Sequence, residues 1–172
     1  MLKKYNSTRV LELFFRHPTR KFGIREISRT IRISPPRVST LVNTLVKEGY
    51  LVREKTRVLD YVSANADADA FKRKKMLCNI EMLYESGFIK ALLELSPEAI
   101  VVFGSYARGE DIEKSDIDIA LIGTKDDIDA SRFEKKLERS ISIHHIELKS
   151  APKELKNSIA NGVVLEGYLK IL

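Results

Sequence analysis

The sequence predicts an α+β protein in two modules: a basic N-terminal module of short helices closed by a β-hairpin, then a small α/β module built on a mixed sheet. Three observations point there. Residues 1–63 carry 14 Lys+Arg against 5 Asp+Glu, a net of +9, whereas residues 64–172 carry 16 against 19, a net of −3. Apolar residues recur at helical spacing as far as Lys47 and then give way to two short β-type runs. Beyond residue 98, short apolar runs alternate with amphipathic stretches, the signature of strands and helices in one layered unit.

Taken in order, Val10, Leu11, Phe14 and Phe15 form one face of a first helix that stops near Pro18. Ile24, Ile27 and Ile31 define a short second helix. Ser34 is a good N-cap and Pro35 a good first helical residue for a third. Val38, Leu41, Val42, Leu45 and Val46 then repeat at i, i+3, i+4, i+7 and i+8, the clearest amphipathic helix in the chain, and Gly49 ends it. Residues 50–52 and 58–62 read as two strands around a charged loop, 53–57.

Three helices followed by a hairpin make a winged helix-turn-helix, and residues 7–63 resemble that family throughout. The resemblance implies that the third helix enters the major groove of double-stranded DNA. Its polar face carries Arg37, Ser39, Thr40, Asn43, Thr44 and Lys47, short or basic side chains that reach base edges or phosphates. The hairpin tip is expected to carry Arg53, Lys55 and Arg57, with Lys3, Lys4, Arg20, Lys21 and Arg25 adding backbone contacts. The competing reading is a winged helix that binds protein, its cations merely solvated; the excess of +9 favours nucleic acid.

Residues 63–69 (SANADAD) are small and polar and mark a boundary. Residues 71–95 read as helix, with Gly87 a break point, and Pro97 resets the chain. The expected organisation is a winged helix over 1–63, a helical linker over 64–97 and a compact α/β domain over 98–172.

The stretch AIVVFGSYARGEDIEKSDIDIALIG, residues 99–123, carries the chemistry. An apolar strand ends at Gly104-Ser105, a short polar helix follows, and a second apolar strand begins with Asp116-Ile117-Asp118. Alternate strand residues share a face, so the two aspartates point one way and Ile117 and Ile119 the other. Two neighbouring carboxylates repel, and a divalent cation relieves them; hard oxygen ligands of this kind suit Mg²⁺ held together with substrate phosphates. Gly104 permits close backbone approach, and Ser105 offers a hydroxyl and an N–H at a helix start, a site for phosphate.

At these residues the chain resembles the DNA polymerase β-like nucleotidyltransferase superfamily, in particular its minimal branch. The resemblance implies metal binding and catalysis at Asp116 and Asp118, and nucleoside triphosphate, ATP by preference, at Gly104, Ser105, Arg108 and Ser115. Active relatives carry a third carboxylate on the next strand. In ISIHHIEL that position aligns with His144, and Glu147 falls on the opposite side of an ideal strand. His144 and His145 read either as metal ligands or as an ordinary exposed pair.

Two functions therefore compete. One is an Mg²⁺-dependent enzyme passing AMP to a hydroxyl, for instance on a partner protein as in toxin–antitoxin pairs. The other is a DNA-binding regulator whose degenerate nucleotidyltransferase domain senses a nucleotide or docks a partner. The whole chain resembles archaeal fusions of these two domains.

The remaining expectations are general. A 44% hydrophobic and 31% charged composition describes a folded, water-soluble chain. No apolar run approaches the roughly 20 residues of a membrane span. The N-terminus lacks a signal-peptide core, and the lone Cys78 excludes an internal disulfide, so the expected location is cytoplasmic. A homodimer is expected, joined through residues 71–95, with Met76, Met82 or Phe88 meeting a second copy, or through the adjoining module; the competing reading is a monomer with that segment buried between its own domains.

Overall fold

The computed structural model describes residues 2–57 and 60–170, with side chains from Asn6 onward. Two compact units result, Met1–Lys75 and Met76–Leu172. No helix among the described residues is long and apolar enough to cross a membrane.

The N-terminal unit contains α1 (Leu2–Arg16), β1 (Phe22–Gly23), α2 (Ile24–Ile31), α3 (Pro35–Lys47), β2 (Leu51–Lys55) and β3 (Asp60–Ala64). Its antiparallel sheet has the order β1-β3-β2. Val10, Phe14, Ile27, Val38, Leu45 and Val62 are sealed from solvent, and the Phe14 and Phe22 rings meet edge to face at 5.3 Å. The turn into α3 is pinned by Ser28, whose hydroxyl donates to the Ile33 carbonyl at 2.6 Å while Arg32 takes a left-handed conformation.

Ser34 precedes α3 as expected, but its side chain makes no capping bond. Pro35 and Pro36 occupy the first helical positions and lack N–H groups, so fewer donors need a cap. At the other end Gly49 (φ 79°) closes a Schellman motif: its N–H donates to Val46 O, and that of Tyr50 to Leu45 O.

Two placements differ from the sequence reading. Strand β1 was not expected. Strand β2 runs through residues assigned above to the hairpin loop, so Arg53 and Lys55 are strand residues and only Arg57 lies beyond it. Pairing decides this: Arg53 stands opposite Val62 and Lys55 opposite Asp60, so each charged residue gains a ladder partner. Val58 and Leu59, expected to open the second strand, lie outside the described residues, as do the side chains of Lys3 and Lys4.

Helix α4 (Asp69–Ser86) is followed, after Gly87 at φ 83°, by α5 (Phe88–Leu93). The rest of the C-terminal unit is β4 (Ala99–Phe103), α6 (Gly104–Arg108), β5 (Ile117–Ile122), α7 (Ser131–Leu137), β6 (Ile141–Ile146), α8 (Lys153–Ala160) and β7 (Val163–Gly167). The sheet is mixed, with order β6-β5-β4-β7; only β5 and β6 run parallel. Because side chains alternate, the central strands feed two cores. Ile100, Val102, Ile117, Ile119 and Leu121 pack on one face with Leu83, Phe88, Leu92 and Phe133. Val101, Phe103, Ala120 and Ile122 pack on the other with Ile159 of α8. Phe88 therefore fills the core of its own unit and is not available to a second copy, and Met82 packs against that same core.

Candidate functional site

The C-terminal site grows from the junction of β4 and α6. Gly104 takes φ 72°, and a Cβ there would stand 2.5 Å from Asp118 Oδ2, so the position accepts only glycine without moving that carboxylate. The register explains the contact, since Phe103 pairs directly with Asp118 across β4 and β5. The Gly-Ser turn and one aspartate thus touch although fourteen positions separate them in sequence. Asp116 is exposed, one residue before β5 begins, and Asp118 is half-buried within it.

His144 reaches the same place. It lies in the middle of β6 opposite Ala120, its Nε2 is 3.4 Å from Asp118 Oδ1, and its ring sits 5.4 Å from that of Phe103. His145 points elsewhere, its Nδ1 3.2 Å from the Thr124 carbonyl oxygen. Glu147 lies past the end of β6, where its carbonyl accepts the N–H groups of Ser150 and Ala151. It does not join the site.

Ser115 and Arg108 are held locally. The Ser115 hydroxyl accepts the Ile112 N–H and its own N–H donates to the Ile112 carbonyl, both at 3.0 Å, closing a tight turn before Asp116. Arg108 Nε donates to Glu110 Oε2 at 2.8 Å in an exposed pair. Ser105 is half-buried, and its carbonyl accepts the Gly109 and Glu110 N–H groups. Beside Asp116 opens a cleft of about 370 Å³ whose walls include Lys114, Ser115, Glu134 and Arg139.

In the N-terminal unit, α3 presents Arg37, Thr40, Asn43 and Lys47 to solvent, with Ser39 and Thr44 half-buried. The Thr40 and Thr44 hydroxyls donate to carbonyls one turn back, at 3.1 Å each, so outward they offer acceptors and methyl groups. Arg53 is not free to reach outward from a hairpin tip. Its Nε and Nη2 grip Asp60 at 2.8 and 2.7 Å, and its Nη1 donates to Ser39 Oγ at 3.1 Å and Asn43 Oδ1 at 2.7 Å. The Asp60 hydrogen bonds raise the Arg53 pKa, and the Arg53 guanidinium lowers that of Asp60. Lys55 and Arg57 remain exposed.

Residues 6–55 match the IclR helix-turn-helix domain family, and residues 89–167 match the polymerase β nucleotidyltransferase family. The chain joins a helix-turn-helix domain to a nucleotidyltransferase domain. No curated protein and no solved structure matches it.

The C-terminal unit also holds a buried polar cluster that the sequence reading missed. Asn79 Nδ2 donates to Asp111 Oδ1 at 2.8 Å and to the Tyr106 carbonyl at 2.9 Å, and Arg139 Nη2 lies 3.9 Å from Asp111 Oδ2. This cluster anchors Tyr106 in α6 and Asp111 just after it. The available signal was a polar Asn on a helix between Cys78 and Ile80, with a carboxylate just after the GSYARG turn.

Proposed function

We propose that the nucleotidyltransferase domain transfers a nucleoside monophosphate, AMP from ATP, to a hydroxyl acceptor with Mg²⁺, while the helix-turn-helix domain holds the protein on duplex DNA in the cytoplasm. The observation that supports the transfer reading is the approach of the Asp118 carboxylate to Gly104, the geometry expected if that oxygen bound a metal beside a turn that held phosphate. The donor set fits the cation. Mg²⁺ is commonly held by one or two carboxylates completed by substrate phosphates. Among the described residues no three His, Cys, Asp or Glu side chains form a metal site by themselves, so Asp116 and Asp118 would hold Mg²⁺ jointly with the triphosphate.

Bound there, the cation supplies neutralisation of phosphate charge. The chain's own residues position the reactants. The Ser105 hydroxyl and the N–H groups of the 104–105 turn orient the outer phosphates, and Arg108 exchanges its exposed Glu110 partner for phosphate oxygen. Ser115 keeps the turn that presents Asp116. The cleft beside Asp116 has the size of a small-ligand pocket and admits the acceptor. Attack of the acceptor oxygen on the α-phosphorus releases pyrophosphate, with rate gained from positioning and charge complementarity. The acceptor in this reading is a hydroxyl of a partner protein, as in toxin–antitoxin pairs. The protein acts on DNA as a homodimer, one copy per half-site.

The test is incubation with ATP labelled at the α-phosphate. Mg²⁺-dependent pyrophosphate release and label transfer are expected from the wild type and not from Asp118→Asn. A second reading has its own support: His144 stands beside Asp118 where a third carboxylate would stand. Saturable ATP binding with no pyrophosphate release would establish that reading, a DNA-bound regulator that senses a nucleotide without transferring it.

A further inference from the structure

The geometry points to Arg53 as a latch that ties the wing to the recognition helix α3, a positioning residue for DNA binding and not a phosphate contact. The inference rests on the DNA-binding reading above and gives it a mechanical part. Four donated hydrogen bonds fan out from one guanidinium: two to Asp60 on β3, one to Ser39 and one to Asn43 on α3. The Arg53 side chain is only 10% exposed. Ser39 and Asn43 are four apart and lie on one edge of the helix, so a single planar fork spans both and leaves two N–H donors for the carboxylate.

The consequence concerns which residues read DNA. Ser39 Oγ and Asn43 Oδ1 both accept from Arg53, so these two residues tie the edge of α3 that carries them to the wing. Toward DNA this leaves Arg37, Thr40, Thr44 and Lys47 on the helix and Lys55 and Arg57 on the hairpin, together with the donors of the Asn43 amide and the Ser39 hydroxyl, whose oxygens alone are taken by Arg53. Asp60 carries a negative charge into a basic face, which makes sense only if holding Arg53 outweighs its repulsion of phosphate.

That sign makes the latch testable. Charge accounting alone says that Asp60→Asn tightens DNA binding, because a carboxylate is lost and Arg53 is released. The latch says that it weakens binding, by about tenfold, as Arg53→Ala does. Arg53→Lys keeps the charge but cannot make the fork, and is expected to behave like Arg53→Ala. The Arg53→Ala/Asp60→Asn double variant is expected to lose no more than either single variant, because both remove the same connection.

The slope of log K against log salt supplies a second readout. A lost phosphate contact lowers its magnitude by about 0.9, whereas a lost latch leaves it unchanged. All variants are checked for fold by circular dichroism, and amide exchange of residues 51–55 is followed without DNA. Faster wing exchange in both single variants, with weakened binding at constant slope, is the expected result. Tighter binding by Asp60→Asn, or full affinity in Arg53→Lys with a reduced slope in Arg53→Ala, would overturn the latch. If the wild type binds no duplex at low salt, the DNA reading fails, and wing exchange still decides: unchanged protection in Arg53→Ala refutes the latch independently.

Discussion

Replacing Gly104 with alanine separates backbone strain from damage to the site, because the same domain contains a matched control. Gly104 and Gly87 both sit at positive φ, 72° and 83°. A Cβ on Gly87 meets nothing within 4 Å, whereas one on Gly104 meets Asp118 Oδ2 at 2.5 Å and Asp118 Cγ at 3.4 Å. Left-handed backbone costs a non-glycine residue about 1–2 kcal/mol, so both variants lose that much, a fall of roughly 4–8 °C in melting temperature per kcal/mol for a unit this size. The additional contact in Gly104→Ala is with the end of a side chain that can rotate, so it adds little to the stability loss. It does turn the carboxylate away from the turn. Metal-dependent nucleotide affinity is therefore expected to drop by about 10–100-fold, the range seen when a ligand loses its support, while Gly87→Ala binds normally. Melting curves and calorimetric titration of ATP with Mg²⁺ measure both quantities. Equal nucleotide affinity in the two variants would falsify the placement of Asp118 at the nucleotide.

Asp116→Asn and Asp118→Asn are each expected to abolish metal-dependent nucleotide binding while the domain stays folded; retention of that binding in both would remove the metal assignment. Arg57→Ala, at an exposed hairpin position, should lower the magnitude of the salt slope of duplex binding by about 0.9, read by anisotropy at several salt concentrations. The Asp60 carboxyl is held below its ordinary value chiefly by the Arg53 hydrogen bonds. Its stabilising effect is therefore present above the unfolded carboxylate pKa of about 3.9 and lost as pH falls through the lower folded value. Acid melts of the wild type and Asp60→Asn should converge below that range, and parallel curves would count against the pair. Asn79→Ala deletes a hydrogen bond to buried Asp111 and one to the Tyr106 carbonyl, with an expected loss of about 1–3 kcal/mol in chemical denaturation; a neutral effect would mean that water replaces the amide.

Local signals carried most of the fold into the sequence. Pro35 and Gly49 bracket α3 because proline and glycine act on their own backbone, and Asp118 stands out because it is a carboxylate set between the buried Ile117 and Ile119 of an otherwise apolar strand. His144 could be aligned with the third carboxylate by counting along its strand, and it lies beside Asp118. What escaped depends on partners distant in sequence. Strand β1 has two residues, too few to alternate. Arg53-Glu54-Lys55 reads as a charged loop until Asp60 and α3 are set beside it. Asn79 and Asp111 are each unremarkable alone and meet only when α4 and the segment after α6 pack together.

The strand order carries a consequence for the order in which the protein becomes competent. Every strand of the N-terminal sheet lies between residues 22 and 64, whereas β4 is bordered by β7, with Ala99 paired to Gly167. At about 5–20 residues per second of synthesis, the helix-turn-helix is complete several seconds before the strand that closes the nucleotidyltransferase sheet has been made. In the nascent chain the helix-turn-helix sheet is thus complete before the nucleotidyltransferase sheet can close.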